Sequence, residues 1–266
     1  MLAFSQLGAA HLRPNFNDFH GMNGMNGMIG TNGTNAMNDP HLPSSALPRP
    51  WLVADIGGTN ARFGWLAEGA STVAHVATLS VVAHAGPAAA ARAYLAKLAE
   101  TWGADAVVPR AAALAVATAV GQDWVALTNS GWAFSRSATQ RELGLDALLM
   151  LNDFEALALS LPRLGAAQLR AIVMPGAPLS LARPASGAAR GALAVIGPGT
   201  GLGVAGLLPT RHGWVAVAGE GGHATLAASD DFEAALLAAV RRSFPHVSAE
   251  RLLSGIGLPV LHQALG

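Results

Sequence analysis

The chain has 266 residues, 52% apolar and 12% charged, with zero formal net charge at neutral pH. That composition can bury a sizeable core, and it offers no basic surface to hold nucleic acid or an anionic membrane. Cysteine is absent, which excludes disulfides, thiolate metal sites and cysteine nucleophiles in these residues and fits a reducing, cytoplasmic setting.

The first residues, MLAFSQLGAAHLRPNF, lack the basic start and continuous apolar run of a secretory signal. Residues 1–49 are rich in Asn, Gly and Met and end in the proline-punctuated PHLPSSALPRP. They hold too few large apolar side chains to offset the entropy of ordering, so a disordered low-complexity extension is expected. A tail for a partner is the other reading.

From Trp51 the pattern becomes globular. WLVADI reads as a buried strand ended by Gly57-Gly58, and ARFGWLA and STVAHVATLS continue as strands in an antiparallel start. Pro87 opens a helix at its favoured first position. Ala91, Tyr94, Leu95 and Leu98 repeat with the spacing of one buried helical face, and Gly103 follows.

AALAVATAV and DWVALTN predict two more strands, followed by a short helix near Ala138 to Leu143. ALLMLND is a further strand that runs into the helical FEALALSLP, and Pro162 to about Arg190 reads as a loop-rich crossing. Between Arg190 and Arg211 lie about twenty uncharged residues, the length of a membrane span. Their glycines, prolines and threonines favour two strands around a turn, so a soluble protein is expected. Strands GALAVIG, GVAGLLP and WVAVAG come next, then a helix from about Asp231 to Ser243. Its apolar face is read as Phe232, Leu236, Val240 and Phe244, with Pro245 as the stop. A helical ERLLSG and a last helix from Leu258 complete two α/β units.

Two strand ends carry related turns, ADIGGTN at 54–60 and VIGPGTG at 195–201. Glycine permits unusual backbone angles and lets amides approach an anion, while threonine adds a hydroxyl donor. Each turn alone is equally a plain hairpin. Neither matches the P-loop pattern, and Lys97 is the only lysine. Neither opens an evident helix, which disfavours a Rossmann site. Two such turns could face each other across a cleft.

Asn152-Asp153 lies at the end of an apolar strand, where α/β proteins keep reactive groups. Asp153 reads either as a general base for a hydroxyl that attacks phosphorus or as the N-cap of the following helix. Glu220 and His223 flank two glycines in GEGGH, which suits a loop offering a carboxylate and an imidazole to polyol hydroxyls better than a helical metal site. Glu250 reads first as an acid favourable to a helix start.

Taken together, LVADIGGTNARFGWL, DWVALTNSGWAFS, LNDFEALALSLP, VIGPGTGLGVAGLLP, GEGGHATLA and HVSAERLLSG, in this order, closely resemble the bacterial glucokinase family of the hexokinase/actin-like ATPase superfamily. The likeness runs from about Trp51 to the last residue. It implies an α/β, ribonuclease H-like two-domain sugar kinase: a small domain over 50–163 and a partial large domain over 164–266. It also implies ATP-dependent phosphorylation of D-glucose, with Mg²⁺ and a homodimer.

By position, Ala54, Asp55, Ile56, Gly57, Gly58 and Thr59 match the first phosphate loop, with Asp55 near the metal through water. Thr200 and Gly201 match the second loop. Asn152, Asp153, Glu220, His223 and Glu250 match residues that bind glucose hydroxyls, Asp153 being the catalytic base.

The chain departs from the pattern in three ways. It lacks the cysteine zinc motif of the related repressor/kinase branch, it carries the 1–49 extension, and it stops soon after ERLLSG. The expectation is therefore a C-terminally shortened kinase. The rival is a non-catalytic glucose-binding or regulatory fragment, and an actin-like ATPase unrelated to sugar leaves Glu220, His223 and Glu250 unexplained.

Overall fold

Strand β1 (Trp51–Ile56) is apolar on both faces, and that decides its place inside a sheet. In the computed structural model, residues 50–68, 70, 72–103, 108–128, 130–170, 191–211 and 213–266 are described. The expectations for the 1–49 extension and for 171–190 lie outside them.

β1 pairs antiparallel with β2 (Asn60–Leu66), which pairs antiparallel with β3 (Ala74–Ser80). On its other side β1 runs parallel to β4 (Ala111–Val116), and β4 runs parallel to β7 (Ala147–Asn152). The order is β3-β2-β1-β4-β7. Every residue of β4 is buried, as a central strand covered on both faces requires.

Alternate residues Leu52, Ala54 and Ile56 join Leu114, Val116, Leu148 and Met150 in one core layer. Helix α1 (Pro87–Trp102) belongs to this layer through Ala91, Tyr94 and Leu98, so the helical face read from the spacing is the buried one. Gly103 ends α1 with a φ of 86°, a left-handed conformation that suits glycine. The opposite sheet face packs Trp51, Val53, Leu66, Ala111, Ala113 and Ala147.

A hairpin of β5 (Trp124–Ala126) and β6 (Ala133–Ser135) leads into α2 (Arg136–Glu142). The three-residue β6 was not expected, because a run that short carries no periodicity. Ser135 caps α2 by accepting from the Ala138 amide.

The second sheet is antiparallel, ordered β10-β9-β8, from β8 (Leu193–Pro198), β9 (Leu202–Thr210) and β10 (Gly213–Gly219). Helix α3 (Asp153–Ser160) starts where β7 ends and packs on it. Ala158 meets Ala205 and Leu207, with Phe154, Leu159, Val195, Trp214 and Ala216 around them. One helix thus joins the two sheets.

Helices α4 (Asp231–Arg241), α5 (Ala249–Leu252) and α6 (Leu258–Leu265) share a small core of Leu237, Val240, Val247 and Leu252. Here the expected face of α4 needs correction. Phe232 is 66% exposed, and Leu237 takes the buried position assigned to its neighbour Leu236. An alanine-rich helix with adjacent leucines offers two apolar stripes, and docking against Val247 and Leu252 selects one. Among the described residues no helix is long and apolar enough to cross a membrane.

Candidate active site

The register of the parallel strands builds the first half of the site. Ile56 pairs with Val116, and Val116 pairs with Asn152, so the carboxyl ends of β1, β4 and β7 lie level. Asp55 and Asn152-Asp153 therefore meet at one edge, where open α/β sheets bind ligands.

Asn152, not Asp153, caps α3. Its Oδ1 accepts from the Phe154 amide at 3.0 Å and the Glu155 amide at 3.3 Å, and Glu155 Oε2 accepts from the Asn152 amide at 3.3 Å. This is a complete capping box. Asn152 Nδ2 also donates to the Thr118 carbonyl at 3.3 Å, leaving one amide hydrogen for a ligand. The capping role read as one alternative for Asp153 thus belongs to its neighbour.

Asp153 is the first helical residue, half-buried, and its Oδ1 accepts from the Phe154 amide at 2.9 Å. Burial pushes its carboxyl above the ordinary range; the Phe154 amide opposes this and the like charge of Asp55 adds to it. Burial likewise raises the Glu155 carboxyl. Asp55 itself has an Arg62 guanidinium at 3.4 Å, with both side chains partly exposed, so the pair is a loose one.

In the first turn, the Gly57 amide donates to the Asn60 carbonyl at 2.9 Å and the Thr59 carbonyl accepts from Val81 at 2.9 Å. The amides of Gly58 and Thr59 have no hydrogen-bond partner among the described residues. Gly57 does not adopt a left-handed backbone, so permissive angles are not its use here. The glycines leave donors uncovered instead.

The second turn, between β8 and β9, is held by its carbonyls. Gly199 accepts from the Gly255 amide at 2.7 Å and Thr200 from the Ile256 amide at 3.5 Å. The amides of Thr200 and Gly201 remain without a partner among the described residues. Each turn therefore presents two free donors, the raw material of an anion cradle.

Glu250 is tied to this second turn. Its Oε2 accepts from the Leu202 amide at 2.8 Å, and its Oε1 lies 3.1 Å from His223 Nε2. A side chain on Gly201 would collide with that carboxylate. The helix-start reading of Glu250 is thus incomplete, since its charge is spent across the fold rather than on α5. Ser254, 1% exposed, donates its hydroxyl to the Glu250 carbonyl at 2.7 Å and fixes that backbone.

Glu220 follows β10 with an exposed carboxylate that has no partner among the described residues. The turn Gly221–His223 rests directly on β9: Gly222 leaves no room for a Cβ against the Leu202 carbonyl, and Gly221 closes on Val204. These glycines bring His223 to Glu250. Among the described residues no cluster of three or more His, Asp or Glu side chains forms a metal site.

The structure thus gathers Asp55, Asn152 and Asp153 at one edge, and Thr200, Gly201, His223 and Glu250 around the second turn. Sequence reasoning missed the Leu202 amide, Ser254, Thr118 and the Phe154 ring. A backbone amide 48 positions from its carboxylate leaves no trace in a sequence pattern.

A family model for glucokinase matches residues 52–266. The chain is similar to a glucokinase of Ralstonia nicotianae, 45% identical over 218 residues, which are 82% of this chain and 60% of that protein. A glucokinase of Aromatoleum aromaticum is 47% identical over 216 residues, 81% of this chain and 61% of the relative. In structure it is similar to a glucokinase from an Antarctic psychrotroph, with a TM-score of 0.64, 33% identity, and coverage of 81% of this chain and 64% of that one. A glucokinase from Balamuthia mandrillaris, solved with glucose, shares the fold at a TM-score of 0.52 and 21% identity, over 82% of this chain and 62% of that one. The chain spans about 60% of the length of these curated relatives. Its mixed α/β architecture is that of the actin-like sugar kinases, and the chain belongs to the glucokinase family.

Proposed function

We propose that this chain carries the machinery for ATP-dependent phosphorylation of D-glucose, and that Asp153 is the base. The observation that carries this reading is the capping of α3 by Asn152, which frees Asp153, at the same strand edge, from the N-cap role. A half-buried carboxylate titrating above the ordinary range is a better proton acceptor than an exposed one.

On this reading the 6-hydroxyl oxygen of glucose attacks the γ-phosphorus of ATP as its proton passes to Asp153. The bond from γ-phosphorus to the bridging oxygen breaks, and ADP leaves. The free amides of Gly58, Thr59, Thr200 and Gly201 receive phosphate oxygens. Asn152, Glu220, His223 and Glu250 hold sugar hydroxyls, and the carboxylates still have lone pairs to accept them.

Mg²⁺, bound with the nucleotide, would neutralise phosphate charge. Asp55, at the carboxyl end of β1 beside the first glycine turn, supplies hard oxygen, which fits an ion that keeps most of its ligands as water and phosphate. Asp55 would hold it through water. The chain divides, on the same reading, into a small domain over 50–163 and a second over 164–266, in the cytoplasm where ATP and glucose meet.

The test is product formation by the 266-residue chain. ATP and glucose should give glucose 6-phosphate and ADP, whereas 6-deoxyglucose should bind and yield no sugar phosphate. Glucose binding with no turnover on glucose would overturn the kinase reading in favour of a sugar-binding fragment.

A further inference from the structure

Gly197 and Gly203 face each other as a cross-strand pair at the neck of the second glycine turn. Paired glycines inside a strand ladder weaken it, and they mark a place where something approaches closely. What approaches is Phe154. A Cβ on Gly197 would lie 2.8 Å from the ring, and one on Gly203 would overlap it. The aromatic ring fills a notch that any larger residue at either position would close.

The same residue holds the other half of the site through its backbone. The Phe154 amide donates to Asp153 Oδ1 at 2.9 Å and to Asn152 Oδ1 at 3.0 Å. Its amide therefore grips the carboxylate while its ring grips the neck of the turn. Further along α3, Ala158 and Leu159 pack on the same sheet, but one turn or more from the chemical end of the helix.

We propose that Phe154 is a positioning residue that sets the distance between the Asp153 carboxylate and the Gly199–Gly201 turn. This rests on the reading of Asp153 as base and of that turn as a phosphate cradle. An in-line transfer needs both at fixed separation, and a displacement of about 1 Å costs up to ~10²-fold in rate. A leucine is apolar enough to keep the sheet covered but cannot fill a flat notch between two glycines. Adequate burial and correct spacing thus come apart at this position.

Three variants of the chain test it: Phe154→Leu, Gly203→Ala and the double substitution. Turnover, glucose KM, thermal midpoint and the ¹³C NMR titration of the Asp153 carboxyl are read for each. Phe154→Leu should lower kcat by roughly tenfold or more with KM for glucose within about threefold, as misplacement rather than lost binding predicts. The Asp153 titration should move down toward the ordinary carboxylate range as water enters. Gly203→Ala, which displaces the ring without removing it, should do the same and covers the case of an unfolded Phe154→Leu. The double variant should regain part of the loss, because the new methyl fills the space the ring vacated.

A lower thermal midpoint with kcat and the Asp153 titration unchanged would make Phe154 ordinary packing and overturn the proposal. If the wild-type chain makes no sugar phosphate, the kinase reading falls. The Asp153 titration still decides the positioning role, because it needs neither sugar nor nucleotide.

Discussion

In the five-stranded sheet β4 is buried throughout and β1 is buried from Trp51 to Ala54, whereas β8 and β10 have no fully buried residue. Both sheets nevertheless present a glycine-threonine turn with two amides that have no partner among the described residues. The first turn and Asp153 inherit their places from strand register over a deep core. The second turn depends on single locks: Glu250 on the Leu202 amide, Gly222 under the Leu202 carbonyl, and the Gly255 amide on Gly199. A core-built site should fail with the fold, and a lock-built site should fail one contact at a time.

Substitutions on the two sides should therefore break differently. Leu114→Ala, at a 2% exposed position of β4, should cost about 2–5 kcal/mol in urea unfolding, with turnover of the folded fraction retained. Glu250→Gln should leave the first sheet intact and raise KM for glucose roughly tenfold or more, as loss of a charged hydrogen bond predicts; an unchanged KM would argue against a sugar contact. Asn152→Ala removes the capping box and should lower stability by about 1 kcal/mol, measured by thermal or urea unfolding. Ile196→Ala, at a 66% exposed site on β8, should change stability by no more than about 0.5 kcal/mol. A large effect there would show that the second sheet has a core role the comparison denies.

How much of this was legible in the sequence follows the same division. The strands of the first sheet, α1 and the two glycine turns could be read from local periodicity and punctuation, because each is specified by neighbours in the chain. Choosing Asn152 over Asp153 as the cap could not, since both are good caps and the end of β7 decides between them. The buried face of α4 depended on Val247 and Leu252, which lie outside the helix. The Glu250–Leu202 bond and the Phe154 notch join residues more than forty positions apart, and only the fold brings them together.

The raised carboxyl of Asp153 fixes the sign of its effect on stability. An acid whose pKa rises on folding stabilises the fold most below the ordinary carboxylate range, and that contribution is lost as pH rises through the elevated value. Asp153→Ala should thus leave the fold intact at neutral pH, with a thermal midpoint no lower through this effect. The most direct test is glucose-dependent turnover of that variant beside the wild-type chain. Turnover should fall at least ~10²-fold with the fold retained, and near-normal turnover would rule out Asp153 as the base.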